Sequence, residues 1–190
     1  MFDNIKKYKK MKSKTKTAQK YLSEKDENGS YVYEFGVAKG EFYSSLATKK
    51  NKIINSEIVE NLNNVANCLA VKDSLTIRIK SHGDENLNIS NVHTALQEHY
   101  SRQIAKSKVD IARNLNQSLV FFMVGILFFV FYVLLKTHLN ANWFEIIDIV
   151  SWVFIWEAVD LFFIVRNIQK MEQISYQKII NAKIIVDNVD

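Results

Sequence analysis

A run of 18 uncharged and mostly apolar residues restricts the fold of this chain more than any other feature of its sequence. The run occupies residues 118–135 and reads SLVFFMVGILFFVFYVLL. As an α-helix it extends about 27 Å, which is close to the ~30 Å hydrocarbon core of a bilayer. It begins far from the N-terminus and lacks a small-residue cleavage site, so we do not expect a signal peptide. We predict a transmembrane helix over this segment.

A second apolar segment, residues 143–165, is long enough to cross a bilayer but carries four acids. An acid near the bilayer centre costs roughly 2.5–3.5 kcal/mol, whereas each Leu, Ile, Phe or Val favours insertion by about 0.3–0.6 kcal/mol. The segment holds 14 residues of those four types, so the two contributions roughly cancel. We expect the strong first span to carry this segment into the membrane as the second helix of a hairpin.

Helical spacing places these acids on one side of the second helix. At about 100° per residue they fall within half of the circumference, together with Trp152 and Trp156. The other half is apolar and includes Phe154. The pattern predicts one face for lipid and one face for a polar environment.

The four acids allow more than one interpretation. Glu145 follows Asn142 by three positions, which suits a helix cap, and Asp148 could pair with the lysine of the connecting loop. Glu157 and Asp160 lie too deep for either explanation. For these two acids, a polar path and buried hydrogen-bonded packing between helices both remain open.

One hairpin cannot enclose a pore, but several copies around an axis could, with the second helix facing inward. Their deep acids would then form rings of carboxylates, which favour cations. We therefore predict that the acids line an aqueous path through a homo-oligomer. The predicted lining residues are Glu145, Asp148, Trp152, Trp156, Glu157 and Asp160.

The basic charge of the chain is concentrated in its first 20 residues, which hold eight lysines and one aspartate. Their net charge of +7 exceeds the +5 of the whole chain, so the other residues sum to −2. Such a composition predicts a flexible arm that is free in solvent or held to anionic lipid or nucleic acid. The lysines expected to bind a ligand or lipid head groups are Lys6, Lys7, Lys9, Lys10, Lys12, Lys14 and Lys16.

The remaining segments alternate between strand and helix patterns. Residues 30–48 indicate a strand, a turn and a second strand, and residues 56–70 a helix with Ser56 as its N-cap. Residues 74–80, SLTIRIK, alternate as a half-buried strand does, and one uninterrupted helix is predicted from about 91 to 135.

These segments predict an α+β cytosolic domain joined to a two-helix transmembrane hairpin, with long helices continuous from the cytosol into the membrane. After the hairpin we expect another helix, and the β-prone residues 183–187 return to the sheet. The predicted parts are a basic arm (1–29), a cytosolic domain (30–113), transmembrane helices (114–135 and 143–165), an external loop (136–142), and a cytosolic helix with a β-prone tail (166–190).

Basic residues indicate the orientation of the hairpin. They cluster just before the first span and just after the second, for example Arg113 and Arg166, whereas the connecting loop offers Lys136. The positive-inside rule then places both termini in the cytoplasm. We expect the protein in the cell inner membrane with two spans.

The sequence favours neither an enzyme nor a metal site. Its histidines, His82, His93, His99 and His138, have no metal-ligand spacing with each other or with Cys68. No glycine-rich phosphate loop is present, and the first span has no aspartate for an intramembrane aspartyl protease. We expect no catalytic residue, no metal and no cofactor.

The order of elements and the motif Trp156-Glu157-x-x-Asp160, with Arg166 beyond it, resemble a family of small two-span bacterial membrane proteins. The resemblance covers roughly residues 30–187, and Asn167 stands where that pattern has a second basic residue. The family is similar to the membrane channel effector of the Hailong anti-phage defence system. The resemblance implies an oligomeric channel kept shut by a single-stranded DNA oligomer from a partner nucleotidyltransferase. Release of the DNA would open the channel and depolarise the cell.

The residues therefore predict an oligomeric cation channel, and the resemblance implies that it is gated through its cytosolic domain and serves antiviral defence. The alternative is a membrane-anchored regulatory or binding module without conduction, in which the acids stabilise oligomer packing. A third possibility is an adaptor that recruits nucleic acid to the membrane through its basic arm.

Overall fold

The computed structural model describes residues 22, 25–46, 52–82, 87–135 and 141–189, with the side chains of 135, 141–144 and 189 excepted. The strands are β1 (Tyr31–Ala38), β2 (Leu75–His82) and β3 (Lys183–Val189). The helices are α1 (Ser56–Cys68), α2 (Ile89–Leu135), α3 (Ala141–Val159), a π-helix (Asp160–Val165) and α4 (Arg166–Ile180). The described residues divide into two compact units. Residues 107–170 are called the hairpin unit, and the described parts of 10–106 and 171–190 the sheet unit.

The sheet unit is built on a parallel three-stranded sheet with the order β1-β2-β3. Helix α1 connects β1 to β2, as a parallel pair requires, whereas the chain between β2 and β3 passes through the whole hairpin unit. In the register, Ile77 lies beside Tyr33 on one side and Ile184 on the other. The prediction that residues 183–187 return to the sheet is confirmed, as is the α+β class.

One face of the sheet carries the core of this unit. Ile77 and Ile79 of β2 are fully buried in one cluster with side chains of α1, α2 and α4. Within this cluster Tyr100 of α2 is fully buried, and its ring centroid lies 5.6 Å from that of Tyr176 of α4. Burial raises the pKa of the Tyr100 hydroxyl well above its ordinary value, so this group stays neutral.

The opposite face of the sheet carries charged side chains. Arg78 of β2 lies 3.5 Å from the Glu34 carboxylate of β1 and 3.8 Å from the Asp187 carboxylate of β3. Lys80 hydrogen-bonds Glu34 as well, and this contact holds the pKa of the Glu34 carboxyl below its ordinary value. The half-buried alternation predicted for residues 74–80 is thereby confirmed.

Two local predictions were wrong. The described part of residues 30–48 holds one strand, β1, because the chain turns at Gly40 (φ 77°) and Tyr43 then forms an isolated antiparallel bridge to Ile54 instead of a second strand. The N-cap of α1 is Asn55 rather than Ser56, since the Asn55 side chain accepts the backbone N–H of Glu57. In both cases residue propensities do not decide the outcome: they do not specify whether a β-prone segment pairs as a strand, or which of two adjacent residues caps a helix.

The long helix predicted from about 91 to 135 is confirmed as α2, which has 47 residues. Among the described residues, Ile89–Leu134 is the one helix long and apolar enough to cross a membrane by length and composition. Only 11% of its apolar 18-residue window is buried. Helix α3 does not meet the same criterion, because it carries three acids along its 19 residues.

Candidate functional site in the hairpin unit

Helices α2 and α3 form an antiparallel pair that is joined by two hydrogen bonds between small residues. The Ser118 hydroxyl donates to the Ala158 carbonyl oxygen at 2.8 Å, and the Ser151 hydroxyl donates to the Gly125 carbonyl oxygen at 2.9 Å. On each helix the two small residues lie seven positions apart (125 − 118 and 158 − 151). Small side chains let the backbones approach, and each hydroxyl finds an acceptor on the facing helix. We call these four residues the seam.

Gly125 is the point of closest approach in the seam. A Cβ atom added there would lie 2.7 Å from Ile155 Cγ1 and 3.2 Å from the Ser151 carbonyl oxygen. Both distances are shorter than ordinary van der Waals contact. The absence of a side chain at Gly125 is therefore what allows α3 to pack so closely.

Aromatic packing extends the contact between the two helices. The ring centroid of Phe154 lies 5.9 Å from those of Phe121 and Phe128 on α2, and the Phe128 pair is stacked with an interplanar angle of 1°. The expectation that Phe154 faces lipid was therefore wrong. The seam determines which side of α3 approaches α2, and Phe154 lies on that side.

The side of α3 that points away from α2 carries most of the predicted lining residues. Glu145 and Glu157 are exposed, and Trp152 and Trp156 are each 50% exposed with ring centroids 6.5 Å apart. Asp148 is half-buried. We call Glu145, Trp152, Trp156 and Glu157 the acidic face.

Asp160 is placed differently from the acidic face. It is only 2% exposed and begins the π-helix, although a regular α-helix would turn it toward the side of the exposed Trp156. π-helical turns are rare and often occur at functional sites. The structure thus does not bring Asp160 and Glu157 to one exposed surface within a single copy.

The outward side of α2 differs in chemistry from the acidic face of α3. All strongly exposed large side chains of α2 between residues 119 and 134 are apolar. They include Leu119, Met123, Leu127, Val130 and Leu134, with exposures between 44% and 65%. Exposed apolar side chains in such a row are typical of a surface that contacts lipid or another protein.

Other predicted groups fall outside the site. The seven arm lysines, Lys6 to Lys16, lie outside the described residues. No group of three or more His, Cys, Asp or Glu side chains suited to a metal ion occurs in the part of the chain that the structure describes. Comparison with protein-family models, curated proteins and solved structures finds no match to this chain.

Sequence reasoning did not find the seam or the π-helix. The seam has a readable signal, the seven-residue spacing of Ser118 and Gly125 and of Ser151 and Ala158. The π-helix, residues 160–165, has none that we recognise, since DLFFIV reads as ordinary apolar helix.

Proposed function

We propose that the protein is an oligomeric, cation-conducting channel of the bacterial inner membrane, with two spans per copy and both termini in the cytoplasm. The observation that carries the proposal is the acidic face. In a single copy in lipid, an exposed carboxylate near the bilayer centre, such as that of Glu157, would cost roughly 2.5–3.5 kcal/mol. Contact with water or with other copies removes this cost, whereas the apolar outward side of α2 suits lipid.

The pairing of β2 with β3 supports two spans. Strand β2 precedes the hairpin and β3 follows it, yet the two strands pair along seven residues. They must therefore lie on the same side of any membrane, and the chain between them crosses it an even number of times. If α2 crosses, the segment that contains α3 and the π-helix crosses back.

The packing of α3 against α2 favours an aqueous path over dry packing of the acids. Its small-residue side packs on α2 through Ser151 and Ala158, which leaves the acidic face for other contacts. Around a symmetry axis, Glu157 of each copy would form a ring of carboxylates, and such rings attract cations and exclude anions. The indoles of Trp152 and Trp156 would form a rigid part of the pore wall next to these carboxylates.

In this proposal the sheet unit is cytosolic and transmits a gating signal to the hairpin. The ligand is a single-stranded DNA oligomer supplied by a partner nucleotidyltransferase, and channel opening depolarises an infected cell. This part rests on the resemblance carried by Trp156-Glu157-x-x-Asp160 and on the net charge of +7 in residues 1–20, which suits an anionic oligonucleotide.

The test is single-channel recording of the purified full chain in a planar bilayer after nuclease treatment. We expect cation-selective currents, with conductance and selectivity reduced severalfold in Glu157→Gln and less in Asp160→Asn, because only Glu157 is exposed. Glu60→Gln, an exposed change in α1, is the matched control and leaves the current unaltered. A bilayer that stays silent after removal of bound ligand contradicts the channel.

The alternative, a membrane-anchored regulatory module, is favoured by one observation, the burial of Asp160, since buried acids between helices are a packing device as well. Glu157→Leu separates the two functions. An anchor tolerates this change and gains membrane affinity, whereas a channel loses its carboxylate ring and its cation selectivity. The measurement is the cation current together with the membrane-bound fraction of the variant.

A further inference from the structure

We propose that the hairpin unit binds one anionic phospholipid, with an acyl chain in a groove beside the seam and the headgroup phosphate at Arg166. The inference rests on the membrane insertion in the proposed function, but not on conduction. It concerns the outer surface of the hairpin rather than the acidic face.

The groove lies between α2 on one side and the end of α3 with the π-helix on the other. Its volume is about 490 Å³, within the ~300–1,000 Å³ range of small-ligand sites. Apolar side chains dominate its wall, chiefly Leu115, Leu119, Phe122, Ala158, Phe162 and Phe163. Such a wall offers almost nothing to a polar ligand, but it matches a hydrocarbon chain.

The π-helix brings two aromatic rings to this groove in succession. Phe162 and Phe163 lie 4.8 Å apart between ring centroids, at 76° to each other. Both are substantially exposed, with 36% and 57% of their surface accessible. In a regular helix, consecutive residues point about 100° apart, so the wider π-turn helps both rings line one groove.

A cationic group lies next to Phe162, one of the rings of the groove wall. The guanidinium carbon of Arg166 is 5.4 Å from the centroid of the Phe162 ring. The Nε of Arg166 is buried, and it makes no hydrogen bond among the described residues. A buried donor without an acceptor is costly, and a guanidinium is well suited to a phosphate because its N–H groups form a planar fork. A phosphodiester oxygen would supply the acceptor.

An anionic lipid fits this arrangement better than a second copy of the chain. The groove and Arg166 belong to one surface, so a two-fold contact there would bring two arginines together. A phospholipid instead combines an apolar chain with a negative headgroup in the order that the groove and Arg166 present. Basic sites next to membrane helices recognise anionic lipids by this combination.

The experiment uses the full chain, purified in detergent and stripped of lipid, and counts bound lipids by native mass spectrometry. The probes are phosphatidylglycerol and phosphatidylcholine with identical palmitoyl and oleoyl chains. Arg166→Gln tests the headgroup contact, with the exposed Lys170→Gln as its matched control. Leu119→Trp fills the groove, with Leu127→Trp, on the same outward side but away from the groove, as its control.

We expect one tightly held phosphatidylglycerol per copy. Arg166→Gln reduces the preference for phosphatidylglycerol over phosphatidylcholine by on the order of tenfold, the usual effect of losing a charge-assisted hydrogen bond. Leu119→Trp reduces binding of both lipids alike, and both controls bind as the unchanged protein does. An unaltered preference in Arg166→Gln, or unaltered binding in Leu119→Trp, overturns the proposal.

Two further outcomes identify other occupants and would also overturn it. Free glycerol phosphate that competes as well as the lipid indicates a phosphate site without a chain. Leu119→Cys copies, made with Cys68→Ala, that cross-link in vesicles indicate a second copy in the groove. Vesicle flotation keeps the proposals apart: a protein that does not float fails the proposed function, whereas one that floats without lipid preference fails only the lipid site.

Discussion

The two helices of the hairpin unit share one packing scheme but differ on the sides that they turn outward. Each contributes two small residues, seven positions apart, to the seam. The strongly exposed large side chains on the outward side of α2 are all apolar between residues 119 and 134, whereas α3 presents Glu145 and Glu157 beside two tryptophans. Helices that pack alike can therefore present different chemistry outward, apolar side chains on α2 and carboxylates with indoles on α3.

The difference also shows where hydropathy alone misleads. Helix α3 is apolar on average, yet three carboxylates within 19 residues remove it from the helices that would cross a membrane by composition. In the proposed hairpin, insertion of α3 would depend on the strongly apolar α2 beside it. Three of the following predictions test the comparison of α2 with α3, and a fourth concerns the sheet unit.

The largest effect is expected when the outward side of α2 is made acidic. Leu127→Asp adds an acid near the middle of the apolar run and should disfavour insertion by about 3–4 kcal/mol, the sum of the aspartate cost and the lost leucine. Carbonate extraction of membranes measures the inserted fraction, and Leu127→Ile is the control. An unaltered inserted fraction would show that this side of α2 does not face lipid.

Filling the seam should have the next largest effect. Gly125→Ala places a methyl group 2.7 Å from Ile155 Cγ1, and overpacking of this kind costs about 1–3 kcal/mol, partly offset by a ~1 kcal/mol gain in helix propensity. Unfolding of the purified protein in mixed micelles measures the loss. Val130→Ile adds a methylene group on the outward side and serves as the control; equal stability of the two variants would contradict the seam.

Removal of the hydroxyls from the seam should have a smaller effect on both helices alike. Ser118→Ala and Ser151→Ala each lose one hydrogen bond between helices, which is worth about 0.6 kcal/mol on average and up to ~1.7 kcal/mol in membrane proteins. The same unfolding assay applies, with the exposed Ser101→Ala as the control. Destabilisation by only one of the two changes would contradict equal roles for the two hydrogen bonds of the seam.

The smallest effect is a pH dependence of stability in the sheet unit. Burial, helped by the Arg102 charge, holds the pKa of His99 below its ordinary value of 6.5. The folded state therefore prefers neutral His99, so its stability is complete above about pH 6.5 and declines as the pH falls further. Denaturation at pH 7.5 and 5.5 should show less decline in His99→Leu, whereas the exposed His93→Leu behaves as the unchanged protein.

Sequence reasoning recovered the features that have a long or repeated signal. The long apolar helix, the alternation of β2 and the return of residues 183–187 to the sheet all follow from hydrophobic period and β-propensity. It missed features that depend on partners distant in sequence. The parallel pairing of β1 with β2 is one, since a strand next to a glycine turn suggests a hairpin equally well.

For the candidate site, the sequence placed the acids on one side of the second helix but not relative to α2. The position of Phe154 against Phe121 and Phe128 depends on which small residues meet, which helical spacing within one segment does not specify. Past Asp160 the π-helix changes the angle between successive residues. A projection that assumes a regular α-helix therefore assigns the residues after Asp160 to the wrong side.

The position of β3 in the chain has a consequence for synthesis. Strand β3 begins 101 residues after β2 ends (183 − 82), and ribosomes add about 5–20 residues per second. For roughly 5–20 s, one edge of β2 is thus open while the hairpin is being made. An unpaired apolar edge invites association with other chains. Ribosome-bound chains that end near residue 180 should therefore recruit chaperones or cross-link to one another more than chains that already include β3.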